Sequence, residues 1–117
     1  MAFVHWFEIP AADFDRAVRF YEQVFGIALR REDFMDDRIA VFPDSSGCVM
    51  QTGHLPPGQT GTRLYLDGGE QLEQLLSRVE AAGGVVALPL TRLPDGNGDI
   101  ARIIDSEGNL VGLHREP

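Results

Sequence analysis

The sequence has little that would cross-link it or hold it to a polyanion. One cysteine, Cys48, among 117 residues excludes an internal disulfide framework and any zinc site built on paired cysteines. Ten basic residues stand against eighteen acidic ones, a net charge of −8. That balance argues against nucleic acid and anionic membranes as partners, since both reward clustered arginine and lysine. It suits a neutral or cationic small molecule. No apolar run approaches the roughly 20 residues of a membrane span, and no charged leader precedes an apolar stretch near the start. Phosphate-cradling loops are missing as well: "DGNGD" (Asp95–Asp99) has neither the lysine nor the following helix that would make it one. The expected protein is acidic, cytoplasmic and folded without staples, because a chain of this length buries roughly two-thirds of its unfolded surface.

Local patterning supplies the elements. Phe3 to Ile9 is aromatic and β-branched and ends at Pro10, which predicts a strand. Asp13 is a candidate N-cap for a helix whose apolar positions Phe14, Ala17, Val18, Tyr21, Val24 and Phe25 recur at helical spacing, with Gly26 as its stop. Extended segments follow at Ile27–Arg31, Arg38–Phe42 and Cys48–Thr52, then a loop from Gly53 to Gly61 holding Pro56 and Pro57. The order then restarts: a strand at Thr62–Leu66, a helix at Glu70–Ala82 with Leu72, Leu75, Leu76 and Val79 on one face, and extended segments at Val85–Leu88, Asp99–Ile104 and Asn109–His114.

This is an internal repeat. Adding 57 carries Asp13 to Glu70 and Gly26 to Gly83; adding 61 carries "AVFPDSSGCVMQT" (Ala40–Thr52) onto "ARIIDSEGNLVGL" (Ala101–Leu113). Each half reads strand–helix–strand–strand–strand, so residues 1–117 form one domain of two modules, 1–55 and 60–117. A ferredoxin-like sandwich is the alternative, and it would need fewer strands after the first helix.

The segments "FEIPAADFDRAVRFYEQVFG", "LLSRVEAAGG" and "GDIARIIDSEGNLVGLH" resemble the vicinal oxygen chelate superfamily of glyoxalase I, bleomycin-resistance proteins and extradiol dioxygenases. The resemblance covers nearly the whole chain. It implies an α+β fold in which two βαβββ modules form a curved, open-barrel-like mixed sheet with a cup, the helices lying outside. Members of this size resemble two-fold dimers, so a homodimer is expected, with first strands Phe3, Trp6 and Phe7 buried between chains.

Strand alternation assigns side chains to the two faces. In the first strand Phe3, Phe7 and Ile9 are expected under the helix, leaving Trp6 and Glu8 toward the cup. In the matching strand Leu64 and Leu66 are expected inward, leaving Arg63, Tyr65 and Asp67 toward the cup. The 61-residue register places Gln51 with Gly112 on the cup face and Cys48 on the opposite one, where a buried, inert thiol is expected. The superfamily's metal ligands sit on these strands, and the resemblance maps them to Trp6, Gln51, Gly112 and Arg63 or Leu64. Only Gln51 among these can ligate a metal, so the usual site is expected to be absent and no cofactor is expected. A divalent metal remains the alternative if His5, Gln51 and His114 are ligands. A one-residue slip that made His5 a ligand would turn Phe7 and Ile9 out of the core.

The expected function is small-molecule binding, with lyase- or isomerase-type catalysis that does without the usual metal. Glu8, or else His114, would move a proton; Trp6, Gln51, Arg63 and Tyr65 would contact the ligand, Arg63 against developing negative charge. The competing reading of Glu8 is an ion pair with Arg63 or Arg102. Two other functions stay open: a non-catalytic protein that sequesters a cationic drug, and a metal-dependent lyase or dioxygenase.

Overall fold

The computed structural model describes residues 3–117. Alternation on each strand turns one row of apolar side chains toward two helices, and those rows merge into a core shared by both halves. The first half runs β1 (Phe7–Pro10), α1 (Phe14–Phe25), β2 (Arg30–Phe34), β3 (Asp37–Val41) and β4 (Gly47–Gln51). The second runs β5 (Tyr65–Asp67), α2 (Leu72–Ser77), β6 (Val85–Arg92), β7 (Asp99–Ile104) and β8 (Leu110–Arg115). Each half is a four-stranded mixed sheet with the same wiring, β1-β4-β3-β2 and β5-β8-β7-β6, and the first strand of each pairs parallel with the last. The architecture is therefore α+β with two βαβββ modules, and three strands after α1 set aside the ferredoxin-like alternative. The two sheets stay separate and do not close into a barrel.

Helix α1 starts and stops where its caps dictate. The Asp13 side chain accepts from the Arg16 N–H at 3.1 Å, and Gly26 takes the left-handed conformation at φ 66° while donating to the Glu22 carbonyl. Its apolar face, with Phe14, Val18, Tyr21 and Val24, is buried. Helix α2 is shorter than its apolar spacing predicts: no side chain caps it, and the chain past Ser77 continues to Gly83 in turns.

The turn "DSEGN" (Asp105–Asn109) does more than reverse the chain. Asp105 is buried, its Oδ1 accepting from the Glu107 and Asn109 N–H groups and its Oδ2 from the Tyr21 hydroxyl at 2.6 Å. Asn109 donates to the Pro10 carbonyl at 2.7 Å and accepts from the Gly58 N–H. Glu107 accepts from the Ala12 and Asp13 N–H groups at 2.9 and 2.7 Å and pairs with Arg16. One turn of the second module thus supplies acceptors to the N-terminal end of α1 in the first, where otherwise unpaired backbone donors gather.

Two sequence expectations are corrected. The first strand begins at Phe7, not Phe3, and Phe3 is fully exposed instead of lying under the helix. The 61-residue register holds for β3 and β7 but fails for β4 and β8. Glu8 pairs with Cys48 and Tyr65 with Gly112, so Cys48 corresponds to Gly112, a shift of 64. The physical cause is hairpin length: six residues separate the paired Val41 and Cys48, nine the paired Arg102 and Gly112. A three-residue difference is odd, so it inverts the face of every residue on β4.

Candidate functional site

The helix-free face of each sheet carries the side chains that are free for chemistry. Paired residues in these ladders share a face. In the first module that face holds Glu8 on β1, Cys48 and Met50 on β4, Ile39 and Val41 on β3, and Arg30, Glu32 and Phe34 on β2. Ile39, Val41, Cys48 and Met50 form a small buried cluster separate from the main core. Around it Trp6, Phe34 and Glu8 bound an apolar pocket of about 390 Å³. A second cleft, about 430 Å³, lies between β1, the Leu55–Gly58 linker and β8. Glu8 is the one residue lining both. Its carboxylate accepts from the Trp6 indole N–H at 3.3 Å.

In the second module Tyr65, Gly112 and Arg102 lie side by side across β5, β8 and β7 on the helix-free face. A Cβ at Gly112 would collide with the Tyr65 ring, so the absence of a side chain is what lets the ring lie there. Arg102 Nε donates to the Tyr65 hydroxyl at 3.0 Å. Burial alone would raise the Tyr65 phenol, but the Arg102 bond and the nearby Arg63 guanidinium outweigh it and hold the phenol below its ordinary value. His114 shares this face with Tyr65 and Asp67, and its Nε2 stands 2.8 Å from the Asn97 carbonyl. That carbonyl can only accept, so Nε2 carries the proton and Nδ1 is the open position in the neutral ring.

Gln51 is not on this face. Its Oε1 accepts from the Phe14 N–H at 3.2 Å and its Nε2 donates to the Ala12 carbonyl at 3.3 Å, so it serves the start of α1. Cys48 takes the place expected of Gln51. Burial, with the charge of Glu8, pushes its thiol up to about 12, which removes it as a nucleophile. His5 is exposed, and Phe7 and Ile9 pack against the core, so the slip that would bring His5 to the site has not occurred. Neither Arg63 nor Arg102 pairs with Glu8; the aromatic ring of Trp6 is its neighbour instead.

The donor set does not suit a metal. Among the described residues no three His, Cys, Asp or Glu side chains gather at one point, and both ends of the Gln51 amide are occupied. Gly112, at a position the resemblance assigns to a ligand, has no side chain.

Paired βαβββ modules with polar and aromatic groups on helix-free faces define the vicinal oxygen chelate fold. The chain belongs to the Glyoxalase/Bleomycin resistance protein/Dioxygenase superfamily, whose family model matches residues 3–113. Its structure is similar to a glyoxalase/bleomycin resistance protein from Albidiferax ferrireducens, with 17% identity and TM-score 0.74 over 99% of this chain and 100% of that one. It is also similar to the fosfomycin resistance protein FosX from Mesorhizobium loti, with 17% identity and TM-score 0.68 over 99% and 92%. FosX from Listeria monocytogenes gives 16% identity and TM-score 0.70 over 100% and 95%. At such identities the likeness is one of fold. No curated protein sequence matches the chain. No helix is long and apolar enough to cross a membrane.

Proposed function

We propose that this protein binds a small organic molecule on its helix-free faces and, if it turns the ligand over, acts as a lyase or isomerase through Glu8 without the usual metal. The observation that carries the reading is the position of Glu8, a carboxylate shared by two adjoining cavities and flanked by apolar side chains. A carboxylate so placed can take a proton from a bound carbon or oxygen acid, and the adjacent Trp6 ring offers a flat apolar contact. His114, through Nδ1, is the second candidate for proton transfer; Arg63 and Tyr65 are the polar contacts of the second module. Trp6 is the only tryptophan, so its fluorescence reports ligand entry. Glu8→Gln should lower turnover on a metabolite panel by about 10²- to 10⁴-fold, with the circular dichroism spectrum unchanged. Undiminished turnover in that variant would remove Glu8 from the mechanism.

A sequestering role is supported by one specific feature. Trp6 and Phe34 bound an apolar pocket that holds Glu8 without a cationic partner, Glu32 there being paired with Arg30, a setting for a cationic aromatic drug. Calorimetry with cationic antibiotics at low and high salt decides it: salt-sensitive binding without product supports sequestration, and no binding below about 1 mM discards it. A homodimer accompanies both readings. Phe3, Val4, Trp6, Phe34 and Met35 are exposed in the first module, apolar side chains that a second copy of the chain would cover. Light scattering that returned only the mass of one 12.9 kDa chain would end that part. The lone thiol suits a reducing, cytoplasmic compartment.

A further inference from the structure

Arginine supplies every positive side chain here, ten in all. Six pair with carboxylates, and Arg78 donates to the Val24 carbonyl. Among the described residues that leaves Arg19, Arg63 and Arg102 without a carboxylate. A single unpaired surface arginine is ordinary. Two at one hydroxyl, in a chain of net charge −8 with carboxylates to spare, call for an explanation.

Three adjacent strands build the arrangement. Tyr65 pairs with Gly112, and Gly112 with Arg102, so all three share the helix-free face. With no side chain at 112 the phenol ring crosses the gap, and its hydroxyl takes up Arg102 Nε. The Nη groups of Arg102 have no acceptor among the described residues, and Arg63, which lies close to the Tyr65 hydroxyl, pairs with no carboxylate. The nearest acidic neighbour on the strand, Asp67, directs its carboxylate to the Gly69 N–H at 2.8 Å. The cluster therefore presents several N–H donors and one hydroxyl; Asp67 and Glu116 line a cavity with Tyr65 and His114, and neither carboxylate pairs with Arg63 or Arg102.

We propose that Arg63, Tyr65 and Arg102 form an oxyanion site on the second module, taking a carboxylate or phosphoryl group of a small ligand. The inference rests on the reading of the helix-free faces as ligand-binding and names the chemistry that one of them selects. Guanidinium forks match such oxyanions in charge and in geometry. Tyr65 fixes the Arg102 fork in place and adds a donor of its own while protonated. An acidic protein that repels anions at large gains selectivity by gathering two of its three carboxylate-free arginines at one spot.

The chain has two tyrosines, which makes a direct test possible. Tyr21 is buried and its phenol is raised well above the ordinary value by burial and by the Asp105 charge, so it stays silent while the fold persists. Tyrosinate absorbance therefore follows Tyr65 alone. Inorganic phosphate, methylphosphonate and acetate should each raise the Tyr65 midpoint saturably, half-maximally below about 10 mM, by neutralising the two arginines. Sodium chloride at equal ionic strength should give only a weak, unsaturating shift. A phosphate response without an acetate response assigns the phosphoryl group, and the reverse assigns the carboxylate. Arg63→Gln should weaken the effect about tenfold; Arg102→Gln should move the Tyr65 midpoint back toward its ordinary value and abolish its response to phosphate. Arg19→Gln should change nothing. Identical shifts in chloride and phosphate, or a response that survives Arg102→Gln, would overturn the site. Trp6 fluorescence on the same samples separates the two proposals. Ligands that move Trp6 without any anion effect on Tyr65 sink only the oxyanion site. Saturable anion binding, with no compound on the panel moving Trp6, sinks only the Glu8 reading.

Discussion

The two modules share their wiring and differ almost everywhere else. The first has the long, doubly capped helix and buries four apolar residues on its helix-free face; the second has a short helix with no side-chain cap and places a tyrosine, a histidine and an arginine on that face. What the halves keep in common is the row of side chains facing the shared core. Ala40 and Val49 in one and Ala101, Val111 and Leu113 in the other are all buried against the helices. Burial fixes that row, because a polar group there would lose its water without a partner. The opposite row carries no such demand, and there the modules have diverged into an apolar pocket beside a carboxylate and a pair of arginines beside a phenol.

If the core is truly shared, the largest effect should come from a residue that belongs to both halves. Phe20 is buried on α1, and its ring presses on Gly84 at the entrance to β6, so tightly that a Cβ there would lie 2.6 Å from it. Phe20→Ala should cost about 3–5 kcal/mol. Urea unfolding of this variant should remain a single transition, reported alike by Trp6 fluorescence and far-ultraviolet dichroism. Two separated transitions would show that the modules fold independently, and the comparison would then be between two domains.

A smaller effect is expected at the joint. Tyr21→Phe removes the hydroxyl that donates to Asp105 at 2.6 Å and leaves a buried carboxylate short of one donor. The cost should be about 1.5–3 kcal/mol, measured by the same unfolding. The sequence gives Tyr21 only as an apolar position at helical spacing and Asp105 only as a turn former. Neither pattern contains the other partner, 84 positions away along the chain. This is the general limit of the sequence reading. Periodicity revealed the doubled fold, the caps of α1 and the apolar face of that helix, since these depend on neighbours within a few residues. It misplaced Gln51, because matching letters in "DSSG" and "DSEG" sit at different depths of their hairpins. Equal turn chemistry does not imply equal register. The convergence of Arg63 and Arg102 on Tyr65 was equally invisible, since it depends on three strands and on a missing side chain at Gly112.

The joint should also respond to acid. Burial pushes the Glu107 carboxyl up, but the Arg16 guanidinium, the Asp13 N–H and the Ser106 hydroxyl outweigh it and hold it below its ordinary value of 4.5. A depressed folded-state value means stability that is present above the unfolded value and lost as pH falls through the folded one. Wild-type unfolding free energy should therefore decline below about pH 4.5. Glu107→Gln should be less stable than wild type at pH 7, and the gap should narrow steadily toward pH 3. A gap independent of pH would mean that Glu107 acts by shape and hydrogen bonding alone.

The smallest change in stability should come from Gly112→Ala, and it bears most directly on how the modules diverged. Both halves place a glycine under an aromatic ring, Gly47 beneath Phe7 and Gly112 beneath Tyr65. At Gly47 an added Cβ also meets the Phe7 carbonyl, 2.5 Å away, and a backbone atom of β1 cannot step aside. At Gly112 the three nearest atoms all belong to the Tyr65 ring, and Tyr65 is 38% exposed, with room to swing toward solvent. The fold should then lose no more than about 1 kcal/mol, while the Tyr65 hydroxyl leaves Arg102 Nε. Tyr65 should return to ordinary titration, and its response to phosphate should disappear with it. A fully folded Gly112→Ala protein that kept the low Tyr65 midpoint would show that the arginines, not the glycine gap, hold the phenol in place. The missing side chain at 112 would then be a feature of the sheet alone.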